Sequence, residues 1–151
     1  DLKEKDVSAI LLLATQLNNF YKLKMHYENY LKELEKETCP NFATVAGMTI
    51  AGKLLSHAGS LWRLTEMPAS TIQIIGAEKA LFRHIRNKRR NLPPKYGIIH
   101  EHQLIQKSKS NMHGKVARAL ADKLSIAIKV DYFKGKFIGD KLKKELEERF
   151  K

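Results

Sequence analysis

Cysteine occurs once in this sequence, at Cys39, so no internal disulfide can form and no cysteine-based zinc site can be built. Such a chain suits a reducing compartment. No apolar run approaches the roughly 20 residues needed to cross a bilayer, and no secretory leader is visible. The sequence has no Walker loop, no G-x-G-x-x-G, no G-x-S-x-G and no H-E-x-x-H, so the common nucleotide, hydrolase and metallopeptidase chemistries have no motif here. Acidic side chains are also scarce: 16 stand against 28 basic ones, leaving a formal charge of +12. Solubility alone does not call for so one-sided a surface, and a polyanionic partner would explain it.

The imbalance is local. Residues 79–118 carry eleven basic side chains against Glu101 alone, whereas residues 1–40 hold six basic and seven acidic ones. A patch is therefore expected, on a chain whose 151 residues suit one domain with a core and an appendage. The chain opens on Asp1 without Met, so it is expected to be part of something longer.

The apolar pattern predicts an all-α fold. From about Asp6 to Thr38, Ile10, Leu17, Lys24 and Leu31 recur every seven residues, as do Leu13, Phe20, Tyr27 and Leu34. These are the two seam positions of a heptad, with Lys24 the one polar member. Tyr21, Leu23 and Tyr30 widen the stripe, so more than one neighbouring helix fits; a long core helix of a bundle is the other reading. Pro40 is expected to end this arm. A second helix follows from Asn41 to about His57, with Phe42, Val45, Ala46, Thr49, Ile50 and Leu54 on one face. Ala58-Gly59-Ser60 and Met67-Pro68 are breaks, and Ser70 is the expected N-cap of an apolar run toward Lys88. Asn91–Pro94 reads as a loop and Lys95–Ile99 as extended chain. Helices are expected from about Met112 to Val130 and from Phe137 to Phe150. The last shows Lys141–Glu145 and Lys144–Glu148 at i,i+4, an acid-paired solvated face.

Two basic stripes carry the chemistry. On a continuous helix, Lys79, Arg83, Arg86 and Arg90 fall within about a 60° arc, opposite Ile74, Ala77, Leu81 and Ile85. No acidic residue lies three or four positions after any of the four, and an unneutralised cationic stripe favours phosphate contact. On the later helix, Lys115, Arg118 and Lys129 stand opposite Val116, Leu120 and Leu124, with Asp122 among them. Gly114 sits where free backbone N–H groups suit a phosphate oxygen. The alternative for either stripe is an ordinary solvated face. His100-Glu101-His102 has two imidazoles but no third ligand nearby, and Glu78 beside Lys79 has no accompanying nucleophile. No catalytic constellation, metal site or cofactor is expected.

The stretch from Pro68 to Arg83, containing Gly76-Ala77-Glu78-Lys79 and Ala80-Leu81-Phe82-Arg83, resembles the signature of the Nop domain. His57-Ala58-Gly59-Ser60-Leu61, Pro94-Lys95-Tyr96-Gly97, Gly114–Ala121 and Val130-Asp131-Tyr132-Phe133 match it in the same order. The chain thus resembles the C-terminal half of the archaeal Nop-domain scaffold family of box C/D ribonucleoproteins. The resemblance covers about residues 38–150. It implies residues 1–39 as half of a coiled-coil arm, with the seam Ile10, Leu13, Leu17, Phe20, Tyr27, Leu31 and Leu34. Residues 40–151 would be a compact helical Nop domain, binding RNA and protein through Glu78, Lys79, Arg83, Arg86, Arg90, Lys115 and Arg118.

The implied role is a scaffold that binds kink-turn guide RNA together with a small ribosomal-type kink-turn protein, in support of RNA-guided ribose 2′-O-methylation. A second scaffold copy would join through the coiled coil, and fibrillarin methyltransferase through an upstream domain outside this chain. The resemblance further implies a cytoplasmic location in an archaeon, a nucleolar one in a eukaryote, and no membrane. The loop Asn87–Leu92 departs from the family by being longer and more basic. Three alternatives stand beside this reading: a spliceosomal relative on a different kink-turn RNA, a dimerisation module with an incidental basic face, and an RNA-modifying enzyme.

Overall fold

The computed structural model describes residues 3–150, and among them the chain is all-α: nine α-helices and one 3-10 turn, with no strand. It divides into two units, Asp1–Leu34 and Glu35–Lys151. The first consists of most of α1, Glu4–Thr38, a helix of 35 residues and about 50 Å. Glu4 and Asp6 in its first turn and Lys36 in its last complement the helix dipole. None of its residues is buried. All seven seam residues are exposed, from Leu34 at 38% to Phe20 at 66%. An apolar stripe on a helix without a core of its own gains stability only by meeting another helix.

The second unit begins at the tail of α1, where Pro40 acts from the next helix. A residue before proline is pushed out of the α region, and Cys39 accordingly lies at φ −144°, ψ 63°. Pro40 then supplies the first position of α2, Pro40–Ala46, where its missing N–H costs nothing. Asp131 completes this start from far along the chain. Its two carboxylate oxygens accept from the Asn41 backbone N–H at 3.1 Å, the Asn41 side-chain amide at 2.7 Å and the Phe42 N–H at 2.7 Å. Burial, helped by Asp131 and Glu35, pushes the neighbouring Cys39 thiol up to about 12, so it is an inert core group.

The single helix expected from Asn41 to His57 is two, α2 and α3 (Met48–Ala58), broken at Gly47 with φ 77°. The break turns Thr49 to the surface, while Phe42, Val45, Ala46, Ile50 and Leu54 are buried as the pattern predicts. Gly59 ends α3 in the left-handed region, and the Ser60 side chain caps α4, Leu61–Glu66, by accepting from the Arg63 N–H. Pro68, not Ser70, occupies the cap position of α5, Ala69–Ile74. The 20-residue α8, His113–Tyr132, is the centre of the unit and packs against α2, α4, α5, the short α7 (Gln103–Lys107) and α9 (Gly139–Arg149). Leu120, Leu124 and Ile128 from α8 meet Phe42, Leu54, Leu64, Ile72, Ile99, Ile105 and Leu146 in the core. The Lys141–Glu145 pair expected on α9 does not form, because Lys123 of α8 takes Glu145 and depresses its pKa. Lys144 and Glu148 do pair, at 4.0 Å.

Candidate nucleic-acid interface

The basic helix is shorter than its pattern. The run toward Lys88 stops at Ile74 and restarts as α6, Glu78–Arg86. Between them Gly76 lies at φ 85°, and a side chain there would strike Ile98 at 2.6 Å. The break is enforced by a backbone crossing: Gly97 N–H donates to Gln73 O at 2.9 Å and Ile98 N–H to Ile75 O at 2.8 Å. A Cβ on Gly97 would lie 2.7 Å from the Ile75 carbonyl carbon, so only glycine allows the approach. Lys95–Ile99 is correspondingly not a strand; Ile98–Glu101 forms a 3-10 turn that places Ile99 in the core.

Lys79, Arg83 and Arg86 therefore share α6, all exposed. Arg90 does not: Asn87 leaves the helix at φ −147°, and Arg90 sits in the turn that follows, its N–H donating to the Asn87 carbonyl and side-chain oxygens. The expected apolar back of this helix is only partly in place. No residue of α6 is fully buried: Leu81 is half-buried, Phe82 is 67% and Ile85 57% exposed, and Ile74 and Ala77 lie outside it. The helix is held at its ends instead. At its start Glu78 turns back to accept the Gly76 N–H at 2.7 Å, which lowers its pKa and places its charge at the positive end of the helix dipole. At its end the Asn91 side chain donates to the carbonyls of Arg83 and Asn87, and His84 Nδ1–H donates to the Asn91 carbonyl at 2.6 Å. Asn87 and Asn91 were legible as turn formers, but nothing in the sequence signals that they cap α6.

Lys115 and Arg118 are exposed in the first turns of α8, while Val116, Ala117, Ala119 and Leu120 between and beside them are buried. The Lys95 side chain lies against Gly114 at the same helix start, adding a third cation that the stripe analysis missed. Nearby, Tyr96 stacks on His100 with centroids 4.3 Å apart, and His113 meets both edge-on. α6 does not pack extensively on α8, so the cations stand on two separately supported helices.

The electrostatics are simple. Glu101, the one acid among residues 79–118, pairs with Lys53 at 2.6 Å, outside that stretch. Among the described residues, none of the eleven cations of residues 79–118 takes part in an ion pair. His102 is a structural cap: its Nε2–H donates to Val45 O at 3.1 Å and its Nδ1 accepts the Leu104 N–H at 3.2 Å. Burial holds its pKa below the ordinary value, with both ring nitrogens occupied. His100 Nδ1 and carbonyl face the Gln106 amide. A cleft of about 680 Å³ between the α2–α3 joint, α7 and α9 is lined by His102, Lys107, Lys143 and Glu147 among others, and none of the candidate RNA-facing residues borders it.

Comparison with known proteins gives the family and the fold. The sequence model of the Nop family, described as snoRNA binding domain, fibrillarin, matches residues 1–151. An uncharacterized NOP5 family protein of Methanocaldococcus jannaschii is 44% identical over 149 residues, 99% of this chain and 35% of the relative. Nucleolar protein 56 of Schizosaccharomyces pombe is 40% identical over 99% of the chain and 30% of its own length; nucleolar protein 58 of the same organism is 38% identical over 87% and 25%. Among solved structures, a chain in the crystal structure of a fibrillarin/Nop5p complex superposes with a TM-score of 0.77 at 33% identity, over 99% of this chain and 55% of that one. The chain thus spans about a third or less of the curated relatives' length.

Proposed function

Because the chain belongs to the Nop family, whose sequence model spans it, we propose that it is the scaffold module of a box C/D ribonucleoprotein and binds kink-turn guide RNA jointly with a small kink-turn protein. The observation that carries this reading is the unneutralised charge on α6 and the start of α8, with the sole acid of that stretch drawn away to Lys53. Lys79, Arg83, Arg86, Arg90, Lys115 and Arg118 contact phosphates, and Glu78 serves by fixing the start of α6. Residues 1–39 are the pairing arm, through which a second scaffold copy is recruited, and residues 40–151 the RNA- and protein-binding domain. Fibrillarin joins through sequence outside this chain and performs the 2′-O-methylation; the chain itself only positions. Its location follows the relatives: nucleolar in a eukaryote, cytoplasmic in an archaeon.

Titration of kink-turn RNA, with and without the small kink-turn protein, tests the proposal. Each phosphate engaged contributes about 0.9 to the slope of log affinity against log salt, so four or five phosphates engaged at once by these six residues give roughly −4. Lys79→Ala should weaken binding across RNA sequences and reduce that slope by about 1. Affinity should be much higher for RNA already bound by the kink-turn protein, since each component supplies only part of the surface. If Lys144→Ala on α9, at a side chain paired with Glu148, mattered as much as Lys79→Ala, net charge alone would drive binding and the site would be wrong.

A further inference from the structure

The far end of α8 carries a second surface that the site above leaves unused. Residues 132–137, Tyr-Phe-Lys-Gly-Lys-Phe, are all exposed. Phe133 is 74% exposed, Phe137 53% and Tyr132 39%. Three aromatic rings facing water within six residues are unusual for a segment with an adjacent core to enter. Their exposure follows from a fixed frame. The Phe133 N–H donates to Lys129 O, Lys134 N–H to Asp131 O and Gly135 N–H to Val130 O at 2.8 Å, a closed helix end. Lys134 lies at φ 52°, a conformation that side-chain-bearing residues seldom adopt. On the exit side, the Ile138 N–H donates to Asn41 Oδ1 at 2.6 Å. Asp131 and Asn41, buried, tie both ends of the loop to α2.

The charge around these rings is predominantly positive. Lys129, Lys134, Lys136 and Lys141 are exposed, and none is in an ion pair among the described residues. Of the two acids in residues 129–141, Asp131 is buried and spends both oxygens on Asn41 and Phe42, which leaves Asp140 alone in solvent. Aromatic rings interleaved with cations are what an unpaired nucleic-acid strand requires, the rings stacking on bases and the cations meeting phosphates. Aromatic rings also suit a lipid interface or a protein groove, and the vesicle arm of the test below separates a lipid surface from a nucleic-acid strand.

We propose that the α8–α9 loop, residues 129–137, is a second contact for single-stranded RNA, with Phe133 and Phe137 stacking on bases and Lys129, Lys134 and Lys136 meeting the backbone. It stands about 27 Å along α8 from Lys115, so it reads a stretch of RNA different from that at α6. It rests on the RNA-binding reading only in the class of ligand, and separate variants test the two.

The test is fluorescence anisotropy of the full chain with a labelled oligouridylate at low salt. Phe133→Ala should weaken binding about tenfold, the factor expected for one lost base stack. Phe133→Leu, which keeps the apolar volume, should lose about as much, and Phe133→Trp should retain affinity. Lys134→Gln with Lys136→Gln should lower the salt slope by about 1.4. Lys79→Ala measures the α6 site in parallel, so failure of one surface is distinguishable from failure of the other. No binding by the parent chain, equal binding by Phe133→Ala, or full retention by Phe133→Leu would each overturn the proposal. So would Phe133-dependent binding to anionic vesicles in place of the oligonucleotide.

Discussion

α6 and α8 both present cations, yet they are built in opposite ways. α8 buries ten residues and holds the core of its unit together. α6 buries none and is kept in place by a glycine crossing before it and an asparagine cap after it. A helix placed mainly by its ends leaves most of its circumference free for a ligand, here all but Ala80, Leu81 and His84, which are half-buried. A helix placed by its flank can offer only the residues of its outer edge. The basic surface thus combines a rigid border on α8 with an element on α6 that no core constrains.

The sharpest way to break this comparison is a matched pair of truncations. Leu120→Ala, in the middle of α8, should cost between about 2 and 5 kcal/mol in urea unfolding. Ile85→Ala on α6, where the side chain is 57% exposed, should cost no more than about 0.5 kcal/mol. Comparable losses would mean that α6 has a buried flank after all. Next in size is Gly97→Ala, which drives a methyl group into the Ile75 carbonyl. About 1–3 kcal/mol of destabilisation is expected. The added signature should be faster hydrogen exchange in α6 than in α8, since the crossing anchors only the former.

The smallest effect concerns pH and the border rather than α6. Burial lowers the pKa of His102, so the folded state favours the neutral ring, whose Nδ1 caps α7. The stabilisation is complete above the unfolded value of about 6.5 and is lost as pH falls from there through the lower folded value. A melting curve series from pH 8 to 5 should show this loss, and His102→Asn, which keeps a capping acceptor without the titration, should flatten it. An unchanged slope in that variant would remove His102 from the account.

The comparison also explains what could be read in advance. α1 and α8 were legible as helices because regular helices obey their period; on α8, Leu120 and Leu124 are buried where that period puts them, while Leu13 and Leu17 on α1 are exposed. The stretch from Ser70 to Lys88 was not, because its periodicity runs unbroken across Gly76 while the chain does not. What stops the helix is a pair of hydrogen bonds from Gly97 and Ile98, more than 20 residues away, and no local pattern encodes them. The same reason displaced Arg90 from the cationic face: its position depends on Asn87, not on the helical repeat. Gly47 hid a second break of the same type. The cations themselves were legible because charge needs no partner to be exposed, and the aromatic loop at Phe133 passed unnoticed because exposure of a ring cannot be inferred from its sequence neighbours.

The bridge from Asn91 to Arg83 and Asn87, closed by His84, has a consequence for the thermodynamics of recognition. Fixing one residue's backbone costs about 1–2 kcal/mol, so ordering a free five-residue turn at the moment of contact would consume on the order of 5–10 kcal/mol. Here that ordering is completed during folding. Lys88, Arg89 and Arg90 are thus carried on a backbone with little entropy left to lose, and any association through this turn should resemble the docking of two solids rather than the wrapping of a tail.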